Sequence, residues 1–426
     1  MNKKFLVLII LVLVLSLCLI FVSCNKKEKE IDPPKDATYH SDKVIYSLDE
    51  EIDKDAYLSY LQDGQEYTYG IKDEGVVVEN FATDECKGMV EARVTLPNGL
   101  KTSFTYFVTK EAEVLQDKTQ TTYKNLAYGN RLDYKEDSNQ LFDMYLPKPL
   151  KDITGEEPVM LYIHSGGWVF GSKGEASSGL IPAIVSNGFV VLSMDYKLAG
   201  AEVSMLDQYH DIGAMMAYLC SFLPANGMDV DKIAIGGYSA GGHLSAWYGY
   251  SAQNALPIKI GFEMDIAGPV NVADEGYLNA FFNCVDDYED ILALFMDMFC
   301  GILGIEYDED KDYFADTDYL IDVISQYTAL NYINSNSIPA IMAYASGNPQ
   351  TGEGEDFNPW GPLFVSQNDG LVPLSCYTNF KAKLDENNIA NESKVFEGQD
   401  HSSVYKNTSM IEWMCEQVKE YAKLYL

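Results

Sequence analysis

Short apolar runs separated by helix-length segments constrain this chain more than any other feature. Val159-Met160-Leu161-Tyr162-Ile163, Phe189-Val190-Val191-Leu192-Ser193-Met194, Ile233-Ala234-Ile235 and Ala340-Ile341-Met342-Ala343-Tyr344 each read as a strand buried on both faces. Between them, Leu206 to Leu223 and Gly241 to Ser251 read as helices. Strand and helix alternate in this way from Glu111 onward, which implies an α/β domain: a mostly parallel sheet with helices on both faces. In such sheets ligands gather at the carboxyl ends of the strands. Residues that carry chemistry are therefore sought at the ends of these runs.

The region before residue 112 has a different period. Val90, Ala92, Val94 and Leu96 alternate with mostly polar residues, Pro97-Asn98-Gly99 supplies a turn, and Phe104, Tyr106 and Val108 alternate on the return. Val44 to Leu48, Ala56 to Leu61 and Tyr67 to Ile71 are further short strands. This spacing predicts a small all-β sandwich over residues 39–111, ahead of an α/β domain over 112–426. Within the second domain, residues 271–335 are long, helical in pattern and rich in Phe, Met and Leu, above all from Phe281 to Ile305. They are expected to form a helical cap.

The first residues read as a targeting segment. Lys3-Lys4 precede an apolar run from Phe5 to Val22, and Ser23-Cys24 follow. Phe21-Val22-Ser23-Cys24 resembles a bacterial lipobox, in which the Cys is lipidated and becomes the mature N-terminus. Residues 1–24 are thus expected to be a lipoprotein signal peptide, with Cys24 as the lipidation site and residues 25–38 as a charged, Pro-containing tether. An uncleaved transmembrane helix is the alternative. Either arrangement places the rest of the chain outside the cytoplasm, anchored to a membrane.

Charge excludes one class of partner. The chain has 64 acidic and 30 basic residues and a formal net charge of −34. Such a field repels phosphate backbones, so nucleic acid is not an expected partner, while neutral substrates are unaffected. The 8 cysteines show neither a CxxC pair nor a metal-ligand cluster, and neither a metal nor an organic cofactor is implied. Cys284 and Cys300 could pair; buried free thiols fit equally well.

Gly237-Tyr238-Ser239-Ala240-Gly241 follows one apolar run and opens a helix. A sharp turn there would push the Ser239 hydroxyl into a cleft, and it requires small residues on either side because backbones approach closely. His164-Ser165-Gly166-Gly167-Trp168 lies at the end of the Val159–Ile163 run, 75 residues before Ser239. A Gly-rich turn at this place can aim the N–H groups of Gly166 and Gly167 at a developing oxyanion, and the N–H of Ala240 adds a third donor. A serine nucleophile needs a base, and the chain has 5 histidines. His40 lies at the edge of the tether, His164 in the Gly-rich turn, His210 inside a helix, and His243 on the helix behind Ser239, where packing is its expected role. His401, on a late loop before the final helix, remains as the base. The base needs a carboxylate to hold its tautomer. Asp369 follows the apolar run Leu363-Phe364-Val365; its rivals are Asp356, Glu353 and Glu355.

Over residues 122–426 the chain resembles the α/β-hydrolase esterases related to hormone-sensitive lipase and to bacterial feruloyl and acetyl-xylan esterases. The resemblance rests on Gln140–Pro147, His164–Ser172, Asp195–Ala199, Gly237–Leu244, Asp369–Pro373 and His401. It implies a serine hydrolase with the triad Ser239, Asp369 and His401, acting on a small-molecule or glycan ester. Ser165 departs from the family's usual first Gly in H-G-G-G, and residues 347–362 look like an insertion. Phe81-Ala82-Thr83-Asp84, Gly88 and Val90–Val94 resemble bacterial Ig-like modules, which implies a spacer. Two other functions fit the same features: a peptidase of the prolyl-oligopeptidase type, and a surface glycan-binding protein on an inactive hydrolase scaffold.

Overall fold

The structure is a computed structural model. It describes residues 38–41, 45–47, 50–62, 65–79, 81, 88–109, 113–116, 120–128, 140–200, 202–252, 258–274, 299–306, 308, 317–347 and 372–426. The expected signal peptide with Cys24, the tether through Ala37, Cys284, and the carboxylates Glu353, Glu355, Asp356 and Asp369 lie outside the described residues. The chain divides into two compact units. One comprises Met1–His40, Lys54–Glu79 and Ala92–Phe104; the other comprises Ser41–Asp53, Asn80–Glu91 and Thr105–Leu426.

The early strands are β1 (Thr38–His40), β2 (Ile45–Ser47), β3 (Tyr57–Gln62), β4 (Gln65–Gly70), β5 (Val77–Glu79), β6 (Gly88–Thr95) and β7 (Lys101–Thr109). In the first unit β1, β3 and β4 form an antiparallel sheet. Leu58 and Tyr60 point to its buried side, and Tyr60 stacks on its cross-strand partner Tyr67. β5 pairs antiparallel with β6, whereas β2 pairs parallel with β7. Ala92, Val94 and Leu96 are buried, as their period of two predicts.

In the second unit the order is β8 (Glu113–Gln116), β9 (Thr121–Ala127), β10 (Leu141–Leu146), β11 (Val159–Ile163), α1 (Leu180–Ser186), β12 (Val190–Met194), α2 (Met205–Ala225), β13 (Lys232–Tyr238), α3 (Ala240–Ser251), β14 (Lys259–Ile266), α4 (Thr317–Ser325), β15 (Ala340–Ala345), α5 (Leu374–Glu386), β16 (Asn391–Phe396), α6 (His401–Val404) and α7 (Thr408–Tyr425). One 9-stranded sheet runs β16-β15-β14-β13-β11-β12-β10-β9-β8. Every pairing from β16 to β12 is parallel, and β10, β9 and β8 then continue antiparallel. β11, β12 and β15 are buried along their whole length, which is why their sequences are apolar without alternation. α3 packs on β11, β13 and β14, and α7 on α1, β14 and β15.

The chain leaves β11 for β12 on one side and then returns to place β13 on the other side of β11. This reversal is a topological switch point, where connections diverge and leave a crevice at the carboxyl ends. Ile163, the last residue of β11, lies opposite Gly237 of β13. The register therefore brings the His164 turn beside the Ser239 turn. Of the segment expected to form a cap, the described parts are core-facing: Val272, Phe299, Leu303, Leu320, Ile324, Tyr327 and Ala329 all join the main core.

Candidate active site

Ser239 sits between β13 and α3 with φ 55° and ψ −121°, a backbone conformation costly for a residue with a side chain. Its N–H donates to the Ile266 carbonyl at 2.8 Å, and its carbonyl accepts from the His243 N–H at 3.0 Å. These bonds hold the strained turn in place. A Cβ on Gly237 would lie 2.5 Å from the Ile163 carbonyl oxygen, and one on Gly241 would lie 2.1 Å from it. Only glycine allows the elbow to press against the end of β11 this closely.

His401 opens α6, whose first turn is capped by the Asp400 side chain accepting from the Ser403 N–H. Its Nε2 lies 2.8 Å from Ser239 Oγ. The Tyr238 hydroxyl donates to the His401 carbonyl at 2.5 Å, and the Tyr238 ring stacks on Tyr405 at 4.6 Å. The residue before the serine thus holds the loop that carries the histidine.

The Gly-rich turn is built from three consecutive residues with positive φ: Gly166 at 114°, Gly167 at 55° and Trp168 at 68°. The Gly166 carbonyl accepts from the N–H groups of Val169 and Phe170 at 3.1 and 3.0 Å. Ser165, which departs from the expected Gly, donates its N–H to Glu175 at 2.7 Å and its hydroxyl to the same carboxylate. Its side chain is therefore an anchor for the turn. His164 Nδ1 donates to the Ser165 carbonyl at 2.6 Å, and its ring stacks on Tyr196 at 4.1 Å. Burial lowers the His164 pKa and keeps the ring neutral. The ring thus braces the turn from within.

His243 is more than a packing residue. It is fully buried, its Nδ1 accepts from the Trp168 indole N–H at 3.1 Å, and its Nε2 donates to the Tyr327 carbonyl at 2.9 Å. Burial pushes its pKa down to about 4. His210 lies in α2, as expected, and His40 in β1.

Asp369, the carboxylate read as the partner of His401, lies outside the described residues, as do its rivals. Two carboxylates that the sequence did not single out stand on one side of β14. Glu263 and Asp265 are both fully buried. Asp265 accepts from the Gly268 N–H at 2.9 Å and from the Tyr344 hydroxyl, and Glu263 accepts from the Ser245 hydroxyl at 3.0 Å. Burial raises both pKa values, Glu263 the further because the Asp265 charge adds to it. Among the described residues, no cluster of three or more His, Cys, Asp or Glu could hold a metal ion.

A serine hydroxyl bonded to an imidazole, with its backbone strained outward at the carboxyl end of a central strand, is arranged for proton transfer and nucleophilic attack. Comparison with known proteins agrees with the architecture. The BD-FAE family profile matches residues 142–349. Esterase LipC of Mycobacterium tuberculosis is 30% identical over 132 residues, which are 31% of this chain and 32% of that protein. A probable isoprenylcysteine alpha-carbonyl methylesterase of Arabidopsis thaliana is 29% identical over 113 residues, 26% of this chain and 23% of the relative. The aligned stretches thus span about a third or less of these relatives' own lengths. Among solved structures, a truncated carbohydrate esterase from gut microbiota superposes with a TM-score of 0.51 at 18% identity, covering 74% of this chain and 100% of that one. Esterase B of Lactobacillus rhamnosis superposes with a TM-score of 0.51 at 17% identity, covering 73% of this chain and 89% of that one. The second unit has the α/β-hydrolase fold.

Proposed function

We propose that this chain is a serine carboxylesterase that cleaves its substrate by acyl transfer through Ser239. The observation that carries this reading is the 2.8 Å contact between Ser239 Oγ and His401 Nε2 at the strained end of β13. His401 takes the serine proton as Oγ attacks the ester carbonyl. The N–H groups of Gly166, Gly167 and Ala240 receive the oxyanion. His401 then protonates the leaving alcohol and activates water to release the acid. Asp369 serves as the carboxylate that holds His401. The matches to esterases, and the fold shared with a carbohydrate esterase, support an ester substrate, with acetyl groups on carbohydrate as the first choice. The proposed setting is extracytoplasmic, with Cys24 lipidated in a bacterial membrane and an Ig-like module as spacer.

The test is a panel of nitrophenyl esters of varied acyl length beside acetylated and feruloylated polysaccharides, with fluorophosphonate labelling of the serine. Hydrolysis and labelling are expected in the parent chain, and both are lost in Ser239→Ala and His401→Ala at unchanged melting temperature. Undiminished hydrolysis in either variant rejects the assignment. A parent chain that neither labels nor hydrolyses any ester favours a binding protein on an inactive scaffold.

A further inference from the structure

We infer that His243 is a positioning residue for the oxyanion turn, acting through the Trp168 indole; this deepens the acyl-transfer reading and rests on it. Three consecutive positive φ values at Gly166, Gly167 and Trp168 form a backbone that persists only when its surroundings fix it from several sides. Trp168, the one residue of the three with a side chain, is fixed at both ends. Its carbonyl accepts from the Gln208 side-chain amide at 2.7 Å and from the Ala199 N–H at 2.8 Å. Its indole N–H donates to His243 Nδ1 at 3.1 Å. An indole N–H can only donate, so Nδ1 must be the bare nitrogen of the imidazole. The proton then resides on Nε2, which faces the Tyr327 carbonyl at 2.9 Å. Both ring nitrogens are occupied and the tautomer is fixed.

The backbone of His243 adds the second half of the device. Its N–H donates to the Ser239 carbonyl at 3.0 Å, so one residue holds the strained serine through its main chain and the donor turn through its ring. Beside the β11–β13 register, one rigid side chain on α3 thereby ties the nucleophile to the turn that carries Gly166 and Gly167. The fixing extends outward, because the Tyr327 hydroxyl donates to the Leu303 carbonyl at 2.6 Å. The described part of the segment expected as a cap is thus bonded to the same ring. Oxyanion donors must lie within hydrogen-bond reach of the transition state rather than of the bound ester, so a displaced turn lowers kcat more than it raises KM.

Two side chains separate the two ring bonds. Asn places an acceptor where Nδ1 stands and lacks the reach of Nε2, whereas Gln reaches the Nε2 place and leaves the Trp168 indole without a partner. In the full chain with a short-acyl nitrophenyl ester, His243→Gln and Trp168→Phe are expected to lower kcat about 10- to 100-fold with KM changed less than about threefold, part of the loss seen when an oxyanion donor is removed. His243→Asn is expected to recover most of that turnover, and the His243→Gln/Trp168→Phe double variant to be no slower than either single one. Wild-type kcat in both His243→Gln and Trp168→Phe, or equal losses in the Asn and Gln variants, overturns the inference. Trp168→Phe alone decides if His243→Gln fails to fold. Failure of the parent chain to turn over any ester overturns the acyl-transfer reading and this inference together, whereas an active parent with unaffected variants overturns only this one.

Discussion

Tyr238 donates its hydroxyl to the main-chain carbonyl of His401 at 2.5 Å, across 163 residues of sequence. The same ring stacks on Tyr405, beyond the short helix that His401 opens. The serine and the histidine are therefore joined twice, once by their own side chains and once through the residue between Gly237 and Ser239.

That relationship predicts a separation of effects in Tyr238→Phe. The ring and its stacking survive, and only the hydroxyl is lost. Stability should fall by about 1 kcal/mol, the usual worth of one hydrogen bond. Turnover should fall by about tenfold or more, because small misplacements of a catalytic group are costly. A melting curve and an ester assay on the same preparation measure both; an unchanged kcat would show that the His401 loop needs no such tie.

Gly241→Ala places a Cβ 2.1 Å from the Ile163 carbonyl oxygen, and also within 2.6 Å of that of His164. Both obstacles are backbone, one at the end of the central strand and one in the turn that follows it, and cannot swing aside. The expected loss is about 3 kcal/mol or more, at the upper end of overpacking costs, read as a lower urea midpoint or as loss of soluble protein. A variant as stable as the parent would mean that the elbow can retreat from β11.

His243 gives the fold an acid limit. Its pKa is about 4 in the folded chain against about 6.5 for an unperturbed imidazole. Below pH 6.5 the unfolded chain takes up this proton while the folded chain does not, so stability falls as pH drops toward 4. Above pH 6.5 the penalty is absent. The depression corresponds to about 3 kcal/mol once both states are protonated. Melting temperatures measured from pH 7 to pH 4 should fall less steeply in His243→Asn than in the parent; parallel curves would refute the coupling.

Glu263 has the opposite sign. Burial, with the Asp265 charge beside it, raises its folded pKa well above that of a free carboxyl. Above the ordinary carboxyl pKa the unfolded chain ionises and the folded chain stays protonated, so stability is lost as pH rises. Glu263→Gln keeps the shape and removes the titration. It is expected to be the more stable protein at pH 8, with the difference vanishing near pH 4. A Gln variant less stable at pH 8 would place an ionised Glu263 in the native core.

Strands buried on both faces were legible from their apolar runs: β11, β12, β13 and β15 lie where the sequence places them. β14 was not legible. Lys259-Ile260-Gly261-Phe262-Glu263-Met264-Asp265-Ile266 carries two acids and a glycine, yet every residue from Gly261 to Ile266 is buried. The acids are tolerated because Ser245, Tyr344 and Gly268 bond them; Gly268 is local to Asp265, but Ser245 and Tyr344 come beside the acids only once the sheet and its helix have packed. The glycine is favoured because a Cβ there would lie 2.7 Å from the Tyr425 carbonyl oxygen, a main-chain atom that cannot swing aside. The site divides in the same way. Ser239 and His401 could be read from a motif and from elimination among few histidines. Glu175 behind Ser165, the Tyr238 hydroxyl on His401 and the Trp168 indole on His243 could not, since each joins segments whose proximity no local pattern encodes.

Ser239 and His401 stand 162 residues apart, and β16, the strand that leads to the histidine, lies at one edge of the sheet. In a chain made from its N-terminus, the residues of the elbow emerge long before the imidazole that meets them. Contacts of such long range are also slow to form, since the closure entropy of the intervening loop must be overcome first. On the proposed mechanism, reactivity of the serine is a property of the assembled site: a chain cut before His401 is expected to leave the elbow unlabelled by fluorophosphonate, and the onset of labelling during refolding is expected to follow the meeting of Ser239 and His401 rather than collapse of the core.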